Sequence, residues 1–229
     1  MLPPDFAAFS FHLDPGGSDE ALADRTVAVT GVSRIAVMGA GRWSLLVALA
    51  RRGAHVVAFD PSRVTLRTAR DAAEIAGVAD RVTLFAADPR DFVIPDGVDG
   101  ALVPSFPWRV LLTREAQQQS LECFRRAIAP GGALCVDVDR LPPASPAQTE
   151  RTLLRRGPGG LSWWWWRDPA RSIVTVACDS PNVGTIEVAL ADSTPESSAD
   201  LVRGAGFGVA APAAPSAERA FLVGRVPPR

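Results

Sequence analysis

Gly39, Ala40 and Gly41 make a turn after the apolar run 35–38, and Asp60 stands about 20 residues further on, at the end of a second apolar run, 55–59. Glycine lets the backbone approach a ligand closely. An acid just past a parallel strand can accept hydrogen bonds from a ribose diol. Asp60-Pro61-Ser62 also reads as a helix start, so capping and ligand contact can coexist. A third apolar run, 82–86, ends beside Ala87 and another acid, Asp88, which either faces the same crevice or starts a turn with Pro89. Inside the loop, Trp43 occupies a place that usually carries a small residue. Its neighbour Arg42 pairs a carboxylate or sits in water, and water is the simpler reading.

Other reactive groups are scarce. The chain has neither Lys nor Tyr, and two His. His12 lies in the N-terminal segment and is a candidate catalytic residue; His55 begins the second apolar run and reads as structural. Asp137 and Asp139 close a fifth apolar run, and Asp137 is the second catalytic candidate. Cys123, Cys135 and Cys178 are widely spaced, without metal-ligand spacing, and read as reduced buried thiols. No Ser/His/acid set assembles into a triad. Phe106 and Trp108, after the fourth apolar run, are placed to touch a substrate. In the run Trp163-Trp164-Trp165-Trp166, a strand would send alternate rings to opposite faces. These rings form core and a subunit interface, with a homodimer as the consequence, or an aromatic wall around a flat substrate.

The elements that must position these residues alternate strand and helix as far as residue 140, with strands at 35–38, 55–59, 82–86, 98–103 and 133–138. That pattern predicts a parallel sheet covered on both faces. A Pro-rich linker follows from 141 to about 148, then β-like runs near 161–167, 171–178 and 183–190. Ser193-Thr194-Pro195-Glu196 resembles a capping box opening a helix that ends near Gly204, and strands near 207–209 and 220–226 close the chain. Three parts result: 1–30 as an N-terminal segment, 31–140 as a Rossmann-like core, and 141–229 as a β-rich part completing the sheet. With 24 basic and 25 acidic residues the net charge is −1, which gives no basic field for nucleic acid or a membrane surface. The first residues lack the form of a signal peptide, and no apolar run reaches the roughly 20 residues of a membrane span. A cytoplasmic protein is expected.

The glycine turn, "FDPS", "AADPRDF", "LLTREAQQQSLECFRRAIAPGG" and the late "LVRGAGFGV", in this order, resemble the class I S-adenosylmethionine-dependent methyltransferases, in their small-molecule branch. The resemblance implies a mostly parallel seven-stranded sheet with a reversed last hairpin, and S-adenosylmethionine as cofactor. It places Gly39, Ala40 and Gly41 at the methionine part, Asp60 with Pro61 at the ribose, and Ala87 and Asp88 at the adenine. Two departures stand out. The family's acid two residues before the first glycine is Val37 here, and the last small residue of the loop is Trp43. Trp43 points into the core, lines the pocket where it could face a sulfonium, or fills the pocket.

The leading functional reading is a small-molecule methyltransferase of bacterial secondary metabolism, acting mainly by alignment and desolvation. The alternatives are a cyclase or isomerase on a polyketide-like substrate built on the same scaffold, a non-catalytic partner subunit, and a nicotinamide-dependent dehydrogenase.

Overall fold

The computed structural model describes residues 19–139, 149–182, 184–209, 213–216 and 219–228. His12 lies outside them. The first half alternates helix and strand: α1 (Asp19–Thr30), β1 (Arg34–Met38), α2 (Trp43–Arg51), β2 (His55–Phe59), α3 (Arg63–Ile75), β3 (Val82–Phe85) and β4 (Val98–Val103). A short helix α4 (Ser105–Arg109), then α5 (Arg114–Ala127) and β5 (Ile128–Asp139), complete this half. The second half holds β6 (Thr152–Arg156), β7 (Ser162–Asp168), β8 (Ile173–Ser180), β9 (Gly184–Ala191), α6 (Pro195–Gly204), β10 (Gly208–Val209), β11 (Ala213–Ser216) and β12 (Arg219–Arg225).

The main sheet runs β10-β12-β5-β4-β1-β2-β3, with β11 paired to β12. Strands β3, β2, β1, β4 and β5 are mutually parallel, whereas β12 is antiparallel to β5 and β10. The expected reversed hairpin is therefore present. Alternation along each strand divides the apolar side chains between two faces. Ala36, Met38, Val57, Phe59, Val103 and Val136 face α5 and α6, and Ile35, Val37, Val56, Ala58, Leu102 and Cys135 face α1, α2 and α3. Burying both faces is what makes these strands short continuous apolar runs.

The three β-like runs expected after the linker are β7, β8 and β9, but they do not extend the main sheet. With β6 they form a separate antiparallel sheet in the order β6-β7-β8-β9. Only β10, β11 and β12 complete the main one. The tryptophan run alternates as a strand requires. Trp163 and Trp165 are buried with Val174, Val176, Val188 and Leu190, and Phe106 and Val110 pack on the same cluster. Trp164 and Trp166 lie half-buried on the opposite face, where the Arg151 guanidinium stands 4.9 Å and 6.0 Å from their ring centroids. Thr194 caps α6 in a capping box with Ser197, and Pro195 occupies the first turn. Among the described residues, no helix is long and apolar enough to cross a membrane.

Candidate active site

The carboxyl ends of β1 and β2 meet at the glycine turn. Gly39 adopts a φ of +82°, and its N–H donates to the Phe59 carbonyl at 2.9 Å. A Cβ there would lie 2.8 Å from Cγ of Pro107, so both the dihedral and the space call for glycine. Asp60 closes the arrangement from the β2 side. Its Oδ2 accepts the Ala40 N–H at 3.1 Å, and its Oδ1 accepts the Ser62 N–H at 2.8 Å. Burial pushes the Asp60 carboxyl above the ordinary carboxylate value, and the two backbone donors offset this in part. Capping of α3 falls to Ser62, whose Oγ accepts the Thr65 N–H at 3.2 Å, so the two roles read into Asp60-Pro61-Ser62 sit on neighbouring residues. Pro61 between them is exposed.

At the end of β3, Ala87 is half-buried against the core. Asp88 is engaged within its own loop. Arg90 Nε donates to its Oδ1 at 2.9 Å, Arg90 Nη2 to its Oδ2 at 2.5 Å, and the Arg90 N–H to Oδ1 at 2.8 Å. The Arg90 side chain holds the Asp88 carboxyl below its usual range. Trp43 is the first residue of α2 and is 41% exposed, so the reading that it points into the core is corrected. Arg42 is corrected too. It does not sit in water but pairs with Asp19 of α1 through Nε, at 2.9 Å, and through Nη2.

Two further expectations are overturned by burial. Trp108 is 0% exposed, and its indole N–H donates to Ser198 Oγ of α6 at 3.3 Å, so it is core rather than substrate wall. The cause is α4. Residues two apart share a face in a strand but lie about 200° apart on a helix, so Phe106 and Trp108 part company. Asp137 is 1% exposed and stands opposite Phe221 of β12, enclosed rather than open to an acceptor. Residues that sequence reasoning passed over tie α4 and α5 to the end of the small sheet. Arg109 Nε donates to the Ala191 carbonyl at 3.0 Å, and Gln117 Nε2 to Ser193 Oγ at 3.2 Å.

Residues 35–132 match the methyltransferase domain family. No curated protein sequence matches the chain. Among solved structures it is similar to the CcbJ methyltransferase of Streptomyces caelestis, at 16% identity over 99% of this chain and 91% of that one, with a TM-score of 0.77. It is also similar to CalS10, an amino pentose methyltransferase of Micromonospora echinaspora involved in calicheamicin biosynthesis, at 19% identity, 99% and 98% coverage and a TM-score of 0.70. The glycopeptide N-methyltransferase MtfA matches at 18% identity, 92% and 91% coverage and a TM-score of 0.68.

The matched stretch keeps the glycine turn, Asp60 and Asp88 along one edge of the main sheet, and Phe106 packs against the cluster of the small sheet. A cavity of about 590 Å³ lies at the opposite, amino edge, lined by Arg34, Asp96, Asp99, Arg125, Arg126 and Val226 among others. It is separate from the glycine turn and Asp60. All three cysteines are buried thiols outside any disulfide, and among the described residues no group of three or more His, Cys, Asp and Glu could hold a metal.

Proposed function

We propose that this chain transfers a methyl group from S-adenosylmethionine to an amine of a small-molecule acceptor in bacterial secondary metabolism. The observation that carries the reading is the joint placement of the Gly39–Gly41 turn and Asp60, with the Asp60 carboxylate fastened to the Ala40 N–H. Two of the similar structures support it. CalS10 is an amino pentose methyltransferase with S-adenosylmethionine bound, and MtfA is a glycopeptide N-methyltransferase crystallised with S-adenosylhomocysteine.

The residues fit the cofactor. An ionised carboxylate offers about four lone-pair sites. Ala40 and Ser62 each use one, one on each Asp60 oxygen, and the remainder can accept the ribose hydroxyls. Gly39, Ala40 and Gly41 lie at the methionine part, Pro61 beside the ribose, and Ala87 and Asp88 at the adenine. Trp43 and Phe106 line the acceptor side. S-adenosylmethionine, when bound, supplies an electrophilic sulfonium methyl. The protein's task is to hold donor and acceptor in line and to exclude water, and exposed and half-buried aromatic rings suit that task. An amine acceptor loses its proton without a strong base, which agrees with the scarcity of bases in this chain.

Equilibrium titration with S-adenosylmethionine, S-adenosylhomocysteine and NAD tests the reading. The first two bind with micromolar Kd and NAD does not, and Asp60→Ala abolishes the binding. Failure of the wild type to bind either sulfur ligand refutes the function; unchanged affinity in Asp60→Ala refutes the ribose assignment.

A further inference from the structure

The glycine turn is held from two sides, and only one is evident in the sequence. Asp60 fixes residue 40 from the β2 side. On the far side, the α2 N-terminus receives no cap from its own residues. Arg42 at the cap position makes no side-chain capping bond, and the first turn of α2 contains no acid. Nor does β1 supply an acid, since Val37 is buried in the apolar cluster beneath α1 and α2. The charge comes instead from α1. Oδ1 of Asp19 accepts Arg42 Nε at 2.9 Å and also Nη2, and its Oδ2 accepts the Ser44 hydroxyl. The side chains of Asp19 and Arg42 are only 13% and 10% exposed. A carboxylate with several donors in so enclosed a place fixes geometry in a way that a surface pair does not.

We propose that Asp19 is a positioning residue for the cofactor: it locks Arg42 and Ser44, and through them the turn Gly39–Gly41 that borders the ligand. This rests on the function proposed above. Asp19 touches no reacting atom. Its part is to keep the backbone of residues 39–41 in the binding conformation before the ligand arrives, so that ordering is not charged against affinity. A second connection between the same helices provides an internal control. Arg52 of the α2 C-terminus reaches Asp24 at 2.7 Å and Glu20 at 2.6 Å, more than two turns of α2 away from the glycine loop. If α1 mattered only as packing, loosening either connection would act alike.

The test is titration of S-adenosylhomocysteine into wild type, Asp19→Asn, Asp19→Glu and Asp24→Asn, with circular dichroism and Tm on each. Asp19→Asn is expected to raise Kd about tenfold or more, since charge-assisted hydrogen bonds are lost. Asp19→Glu recovers part of this, and Asp24→Asn stays within about twofold of wild type. In turnover assays the Asp19→Asn effect lies in KM for S-adenosylmethionine, with kcat little changed. A folded Asp19→Asn that binds as tightly as wild type overturns the proposal, as does an equal loss in Asp24→Asn. Should Asp19→Asn fail to fold, Ser44→Ala removes one arm of the same cluster; a severalfold rise in Kd then supports the proposal and an unchanged Kd overturns it. A wild type that binds no S-adenosylhomocysteine refutes the proposed function itself, whereas binding that is indifferent to Asp19 refutes only this assignment.

Discussion

Asp60 and Asp88 occupy comparable places, each just past a parallel strand, yet their surroundings push them in opposite directions. Asp60 is largely buried and its carboxyl is raised, mainly by burial; Asp88 is lowered, mainly by the Arg90 side chain. For Asp60 the folded-state pKa lies above the unfolded one. Its contribution to stability is therefore full below the unfolded value and is lost as pH rises through the folded value. For Asp88 the sign reverses, and its contribution is lost as pH falls through the folded value. Once ionised, Asp60 is thus a charge held at a cost to stability, which is common for a group retained to meet a ligand. Urea denaturation of wild type and Asp60→Ala at a series of pH values checks this. The stability of wild type relative to the variant falls as pH rises from about 3 through the acidic range. A difference that grows with pH would show that the two backbone donors outweigh burial.

At the scale of elements, the small sheet shows what a strand pattern settles and what it leaves open. Trp163 and Trp165 share the buried face, and Trp164 and Trp166 share the other with Arg151 above them. Trp165→Ala is expected to cost about 3–5 kcal/mol, because it leaves a cavity among Val174, Val176 and Leu190. Trp164→Ala costs about 1 kcal/mol, chiefly the cation–π contact and partial burial. Thermal denaturation distinguishes the two; equal losses would mean that the outer face is covered as well, as a subunit interface would do. The alternation of these rings was legible, because the side-chain period of a strand is fixed by its backbone. So was the parallel core, since runs buried on both faces are continuous and apolar, and so was the capped helix at Thr194. The partition of the strands into two sheets was not legible, because pairing partners are set by long-range packing that no local pattern encodes. Trp108 was misread for a related reason: its place just after the fourth strand suggested the ligand side, and the single turn of α4 redirects it into the core. Of the site, the glycine turn and Asp60 could be read from spacing. Asp19 could not, since a carboxylate 23 residues from Arg42 gives no periodic signal.

For the molecule as a whole, α4 is the joint. With its C-cap Val110, it sends Pro107 onto Gly39, Trp108 to Ser198 of α6, and Phe106 and Val110 into the aromatic cluster of the small sheet. Arg109 adds a hydrogen bond to Ala191 at the end of β9. The glycine turn and the small sheet therefore share one short element with no slack, and well-packed interiors transmit displacement rather than absorb it. A ligand that orders the turn should also order the sheet that packs on α4. Amide hydrogen exchange makes this measurable. Saturating S-adenosylhomocysteine is expected to slow exchange in β7 and β8 by severalfold as well as at residues 39–41, and to leave the amino edge near Pro130 and Val226 unchanged. Phe106→Ala is expected to keep the protection at the turn while abolishing it in β7 and β8, since the ring that connects α4 to Trp163 and Trp165 is gone. Protection of the small sheet that survives Phe106→Ala would place the connection elsewhere, along the Arg109 and Gln117 hydrogen bonds that reach Ala191 and Ser193. Protection confined to the turn in the wild type would mean that the two sheets respond independently.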